Sequence, residues 1–116
     1  MDNKFFHNPH CTKSRQELSI LQEKGVQVPV VEYLSSPPSI SELTEICELL
    51  GVHPTDILRS NEPIFRELGL SLKDERPATE WISIMSENPK LIERPIVIID
   101  GKAVVGRPPE NILSII

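Results

Sequence analysis

The sequence lacks the features that mark several large classes of protein. No stretch approaches the roughly 20 apolar residues of a membrane-spanning helix, and the opening residues have no apolar core of a secretory signal. No run of Lys or Arg is available to follow a phosphate backbone, since 17 acidic residues outnumber 12 basic ones and the net charge is −5. No Cys/His spacing matches a zinc site. We therefore expect a cytoplasmic protein that binds neither a membrane, nor nucleic acid, nor a metal.

Cysteine is scarce as well. The 116 residues contain two cysteines, Cys11 and Cys47, and in a reducing compartment such a pair is seldom a structural disulfide. Cys47 shares an apolar helical stripe with Leu43 and Ile46, which predicts packing in the core. Position 14 is Ser, so Cys11 has no C-x-x-C partner. Redox chemistry at Cys11 would therefore require an external thiol.

The order of the predicted elements indicates an α/β fold. A strand at residues 4–7, a helix that ends at Gly25 and a strand at residues 28–34 form a βαβ unit with parallel strands. A helical block follows, with segments predicted from the Ser39 capping box to Gly51, at 54–58, at 63–68 and at 79–87.

The last part of the chain predicts two more strands and a helix. The strands at 96–99 and 102–105 flank an Asp-Gly hairpin turn, and Pro108 and Pro109 begin the terminal helix. The order βαβ, helical block, ββα is that of a thioredoxin-like fold with a single mixed sheet. We expect one domain over residues 1–116, with an inserted helical segment at about 39–88.

Cys11 lies where the first predicted strand passes into a helix. At such a position the backbone N–H groups and the positive helix end stabilise a thiolate and bind an anion. Neighbouring side chains that could add hydrogen bonds or positive charge are His7, Thr12, Lys13, Ser14 and Arg15. We expect a depressed pKa for the Cys11 thiol. The alternative is a small, half-buried cysteine in an ordinary turn.

Three arginines each stand beside a structural breakpoint, where ligand sites form in α/β folds: Arg59, Arg94 and Arg107. A guanidinium recognises a tetrahedral oxyanion with two parallel hydrogen bonds, and several of them offset a doubly charged ligand. The alternative for any one arginine is a surface salt bridge with the many acidic residues.

The segment from His7 to Arg15 resembles the H-N-P-x-C-x-x-S-R signature of the ArsC-type arsenate reductases of thioredoxin fold. The resemblance covers nearly the whole chain and includes Glu93-Arg94-Pro95-Ile96-Val97 and Gly106-Arg107-Pro108. Because the chain stops soon after Arg107 and carries Lys13, it is most similar to the short YfgD-like branch.

The resemblance implies a mechanism and roles for individual residues. Cys11 would attack arsenate to give a cysteinyl-arsenic adduct, His7 would lower the Cys11 pKa, and glutathione and glutaredoxin would deliver the electrons before arsenite is released. The implied substrate-binding residues are Asn8, Ser14, Arg59, Arg94 and Arg107. A cis proline is implied at Pro95. No bound cofactor is expected, and we expect a monomer.

Two other interpretations remain open at this point. The Spx regulators share the fold but bind RNA polymerase, and a chain of that kind would use Cys11 only to sense redox state. Alternatively, the same thiolate and arginines would serve a different oxyanion or a glutathione mixed disulfide.

Overall fold

The computed structural model describes residues 1–116, which divide into two compact units. One unit comprises residues 1–36 and 94–116, and the other comprises residues 37–93. The second unit includes the helical segment expected at about 39–88. That the whole chain is a single domain stays a prediction.

The first unit contains the entire sheet. Its elements are β1 (Lys4–His7), α1 (Thr12–Glu23), β2 (Val30–Glu32), β3 (Ile96–Ile99), β4 (Lys102–Val105) and a 3-10 helix at Pro109–Ser114. The strand order is β2-β1-β3-β4, with β1 parallel to β2 and the other two pairs antiparallel. The predicted single mixed sheet and its βαβ start are confirmed, while the terminal helix is of the 3-10 type.

The second strand is shorter than the predicted 28–34. Pro29 precedes it and has no N–H to donate, although its carbonyl accepts the N–H of Phe5 at 2.8 Å. At the other end, the carbonyl of Glu32 accepts the N–H groups of Ser35 and Ser36 at 3.1 and 3.0 Å, which turns the chain. The Pro and the turn together limit β2 to three residues.

The hairpin between β3 and β4 follows the sequence closely. All four residues of β3 are buried, as a central strand requires. Asp100 and Gly101 have positive φ angles of 50° and 77°, which is the turn that matches the twist of paired strands. Side chains of β1, α1, β3 and the 3-10 helix form the core of this unit: Phe5, Leu21, Val97, Ile99 and Ile112. This packing fixes α1, and therefore its first residues, against the sheet.

The second unit is helical. Its elements are α2 (Ile40–Leu50), α3 (Pro63–Glu67), α4 (Ala78–Glu87) and 3-10 helices at Pro54–Ile57 and Pro89–Leu91. The predicted capping box at the start of α2 is present, with Ser39 and Glu42 bonded reciprocally at 3.1 Å, and Gly51 ends the helix at φ 68°. Helices α2 and α4 pack together. None of the helices in the structure combines the length and apolar character needed to cross a membrane.

Candidate functional site

Cys11 is the N-cap residue of α1. Its backbone is extended (φ −99°, ψ 123°), its N–H donates to the carbonyl of Asn8 at 3.0 Å, and its own carbonyl accepts the N–H of Arg15 at 3.0 Å. The N–H groups of the first turn of α1 have no partner within the helix, so they can be directed at the sulfur or at an anion. The local sequence therefore places the thiol where the helix end favours negative charge.

The pKa of the Cys11 thiol is lowered from its ordinary value. Burial is the largest single influence and would raise this pKa, but it is outweighed by the combined effect of hydrogen bonds from the backbone N–H of Ser14, the Arg94 side chain and the backbone N–H of Lys13 and of the positive charge of Arg94. The side chain is 8% exposed. A partly shielded thiolate with donors around it is the state that a nucleophilic cysteine needs.

Arg94 and Arg107 meet at Cys11 from two separate segments. Nη2 of Arg107 lies 4.0 Å from Sγ of Cys11, and Nε of Arg107 donates to the carbonyl of Arg94 at 2.9 Å. The N–H of Gly106 donates to the carbonyl of Pro95 at 2.8 Å, which joins the two segments a second time. The Arg94–Pro95 bond is cis, as predicted, and so is the Arg107–Pro108 bond.

Ser14 links the other predicted residues of the signature. Its fully buried hydroxyl lies 2.5 Å from Nδ1 of His7 and accepts the backbone N–H of Asn8 at 3.1 Å. Burial lowers the pKa of His7, as does the Arg15 charge, while Glu32 opposes the shift. His7 thus contacts Ser14, and the donors to the Cys11 sulfur are the groups named above. A direct effect of His7 on the Cys11 pKa stays a prediction.

The Asn8 side chain stabilises the turn that precedes Cys11. Its Oδ1 accepts the backbone N–H of His10 at 3.0 Å. In the same turn, Arg15 donates to the carbonyl of Pro9 at 2.9 Å and to Thr12 Oγ1 at 3.3 Å. These bonds hold the approach to α1, so Asn8 and Arg15 shape the loop around the thiol.

Arg59 belongs to the helical unit and is paired there. Its Nε donates to Glu62 at 3.2 Å and its Nη1 donates to Glu93 at 2.9 Å. This is the salt-bridged arrangement that the sequence left open as the alternative for any one arginine. The oxyanion-binding role of Arg59 stays a prediction.

Glu17 was missed by the sequence reasoning. Glu17 is fully buried, and burial raises the pKa of its carboxyl to about 8. Its spacing from Ser14 and Leu21 places all three on the buried stripe of α1, which is the signal that could have revealed it.

The geometry gives this end of the first unit the chemistry of an anion site with a nucleophile. The Cys11 thiol, whose pKa is lowered, lies at a helix start. The guanidinium of Arg94 is hydrogen-bonded to its sulfur, and that of Arg107 lies 4.0 Å from it. Helix N–H groups and guanidinium groups are the donors that recognise tetrahedral oxyanions.

Comparison with known proteins gives a consistent result. A sequence model of the ArsC family matches residues 6–115. The chain is 43% identical to the protein YfgD of Escherichia coli K12, covering 97% of this chain and 95% of that protein. It is 42% identical to an arsenate reductase of Neisseria meningitidis, covering 97% of each chain. The solved structure of an arsenate reductase from Vibrio cholerae superposes with a TM-score of 0.92 at 39% identity, covering 100% of this chain and 98% of that one.

Proposed function

This chain belongs to the ArsC family, and we propose that it is an arsenate reductase whose nucleophile is Cys11. The observation that carries the proposal is the environment of the Cys11 sulfur, which accepts backbone N–H groups of α1 and an Arg94 hydrogen bond and lies 4.0 Å from Arg107. These donors stabilise a thiolate and complement the negative charge of an incoming oxyanion. The relatives named arsenate reductase identify which oxyanion to test first.

The first step joins sulfur to arsenic. The Cys11 thiolate attacks the arsenic of dihydrogen arsenate, an As–S bond forms, and one hydroxyl leaves as water after taking up a proton. The product is a Cys11 thioester of arsenate in which arsenic is still As(V). Arg94 and Arg107 stabilise the charge on the remaining oxygens, because preorganised donors are most effective where negative charge accumulates.

Two external thiols complete the reduction. Glutathione displaces a second oxygen of the adduct as water, and the thiolate of glutaredoxin then attacks the glutathione sulfur. The mixed disulfide leaves, the electron pair of the sulfur–arsenic bond stays on arsenic, and As(V) becomes As(III). Water finally displaces Cys11 and releases arsenite.

The need for external thiols follows from the two cysteines. Position 14 carries a hydroxyl, and the thiol of Cys47 is 7% exposed on the buried stripe of α2. Neither offers Cys11 an accessible second thiol. Thiol chemistry of this kind requires a reducing compartment, so the proposed location is the cytoplasm.

The test is coupled NADPH oxidation with glutathione, glutathione reductase, glutaredoxin and arsenate. Wild type and Cys47→Ser should turn over in an arsenate-dependent manner, whereas Cys11→Ser should lose turnover completely. Omission of glutaredoxin should stop the reaction. No turnover by wild type, under conditions in which a known arsenate reductase is active, would refute the proposal and favour another oxyanion, a mixed-disulfide substrate or a regulatory role.

A further inference from the structure

Glu17 is a buried carboxyl that the proposed reaction does not use. It is fully buried in α1, and its two carboxyl oxygens have no hydrogen-bond partner. Oε2 occupies the position that a Cβ atom on residue 106 would take, and that same position lies 2.8 Å from Cγ of Pro95. The carboxyl therefore fills the space beside Gly106 and Pro95.

We propose that Glu17 is a positioning residue: its side chain fills the gap at Gly106 and Pro95 and thereby fixes the two segments that present Arg94 and Arg107 to Cys11. This inference rests on the proposed function for its catalytic meaning. The positioning of Arg94 and Arg107 against the Cys11 thiol does not depend on which substrate is bound.

The two residues beside the Glu17 carboxyl are each adjacent in sequence to one of the two arginines. Gly106 directly precedes Arg107, and Pro95 directly follows Arg94. The two segments are already joined to each other by the Gly106 to Pro95 hydrogen bond of 2.8 Å and the Arg107 to Arg94 hydrogen bond of 2.9 Å. Glu17 adds a contact from α1, the helix that carries Cys11 at its start. One side chain thus sets the spacing between the thiol and both arginines.

Gly106 gives the second argument. Its φ is not in the left-handed region, so its backbone conformation does not require glycine. A Cβ at this position would instead collide with the carboxyl of Glu17 and with Cγ of Pro95. Glycine at 106 therefore leaves room for the Glu17 carboxyl against the Pro95 ring.

The charge state decides how Glu17 acts. Because its pKa is raised to about 8, the carboxyl is an uncharged acid at neutral pH. An uncharged carboxyl holds its neighbours in place by packing against them. Gln has nearly the same shape and cannot ionise, so Glu17→Gln should preserve this packing, whereas Glu17→Ala should leave the gap empty.

The test measures how the reactivity of the Cys11 thiol depends on pH, and it needs no arsenate. The rate of alkylation by iodoacetamide is measured from pH 5 to 9 in a Cys47→Ser background, for wild type, Glu17→Gln, Glu17→Ala and the exposed control Glu23→Ala. Glu17→Gln and Glu23→Ala should keep the wild-type midpoint. Glu17→Ala should move the midpoint toward the free-thiol value of about 8.5, with a rate about threefold or more lower at pH 6.5. An unchanged midpoint in a folded Glu17→Ala protein would overturn the proposal, as would equal shifts in Gln and Ala.

Gly106→Ala tests the same contact from the other side and serves if Glu17→Ala does not fold. The added methyl group collides with the carboxyl and with Cγ of Pro95, so the Cys11 midpoint should rise here too, and an unchanged midpoint would again overturn the proposal. In the turnover assay, Glu17→Ala should raise KM for arsenate more than it lowers kcat. If wild type shows no turnover but Glu17→Ala shifts the thiol midpoint, the positioning role stands and the arsenate substrate fails.

Discussion

Nη2 of Arg107 lies 4.0 Å from Sγ of Cys11, although the two residues are 96 positions apart in the chain. The contact depends on the sheet, because β3 and β4 bring the segments of Arg94 and Arg107 back to the start of α1. A thiol at a helix start thereby acquires two guanidinium neighbours that no local sequence signal could supply.

Removal of either arginine should make the Cys11 thiol less acidic. Arg94 both hydrogen-bonds to the sulfur and acts through its charge, so Arg94→Ala should raise the Cys11 pKa. Arg107 is 4.0 Å away, and Arg107→Ala should raise the pKa by less. The pH dependence of iodoacetamide alkylation measures both shifts. Arg76→Ala is a suitable control, because Arg76 is paired with Asp74 and Glu80; a shift in the control equal to that of Arg94→Ala would contradict the assignment.

Ser14→Ala should destabilise the fold without deactivating the thiol. The mutation removes the partner of two buried groups, Nδ1 of His7 and the N–H of Asn8, and this should cost about 1–3 kcal/mol of unfolding free energy. The backbone N–H of residue 14 still donates to Cys11, so the lowered thiol pKa should persist. Urea denaturation measures the first effect and alkylation the second. Ser19→Ala, on the exposed face of the same helix, should change stability by less than about 0.5 kcal/mol, and equal stability of the two variants would refute the prediction.

The two cysteines should differ sharply in reactivity. Burial raises the pKa of Cys47, as do the nearby charges of Asp56 and Glu48, whereas the pKa of Cys11 is lowered. Iodoacetamide at neutral pH should therefore label Cys11 first, and Cys47 should react only when the protein is unfolded in urea. Peptide mass spectrometry of the labelled protein distinguishes the two sites. Labelling of Cys47 in folded protein at the rate of Cys11 would contradict this expectation.

The elements that could be predicted from the sequence are those with local signals. The capping box of Ser39 and Glu42 marks the start of α2, and the Asp100-Gly101 pair marks the hairpin. The strand after Pro29 was predicted too long, because the turn closed by the carbonyl of Glu32 left no distinct signal in an apolar, β-branched run.

The candidate site was predictable only in part. The position of Cys11 at a helix start follows from the local sequence pattern. The prediction that Arg94 and Arg107 belong to the site depended mainly on the family resemblance. The Glu93 partner of Arg59 was not predictable, since it is 34 positions away, whereas Glu62 is three positions away. The burial of Glu17 involves residue 106, which is distant in sequence. Because a glutamate in a helix is usually exposed, this burial was not expected from the sequence.

Glu17 should make stability fall as the pH rises toward 8. The folded protein holds the Glu17 proton up to about pH 8, whereas an ordinary glutamate loses it near 4.5. A raised folded-state pKa gives stability that is fully present below the unfolded value and is lost as the pH rises through the folded one. Glu17→Gln cannot ionise and should escape this loss. The stability gained by the variant over wild type should therefore be larger at pH 8 than at pH 5, by about 1–4 kcal/mol.

Urea denaturation at pH 5, 6.5 and 8 measures this difference directly. The other charged and titratable groups on α1 and on the segments near it are unchanged in the variant, so their contributions cancel in the comparison: His7, Cys11, Lys13, Arg15, Glu23, Arg94 and Arg107. Glu23→Gln changes an exposed glutamate of the same helix and serves as the matched control. If Glu17→Gln and Glu23→Gln followed the same pH course, Glu17 would be ionised in the folded protein, and its carboxyl would have to find a hydrogen-bonding partner that the present geometry does not provide.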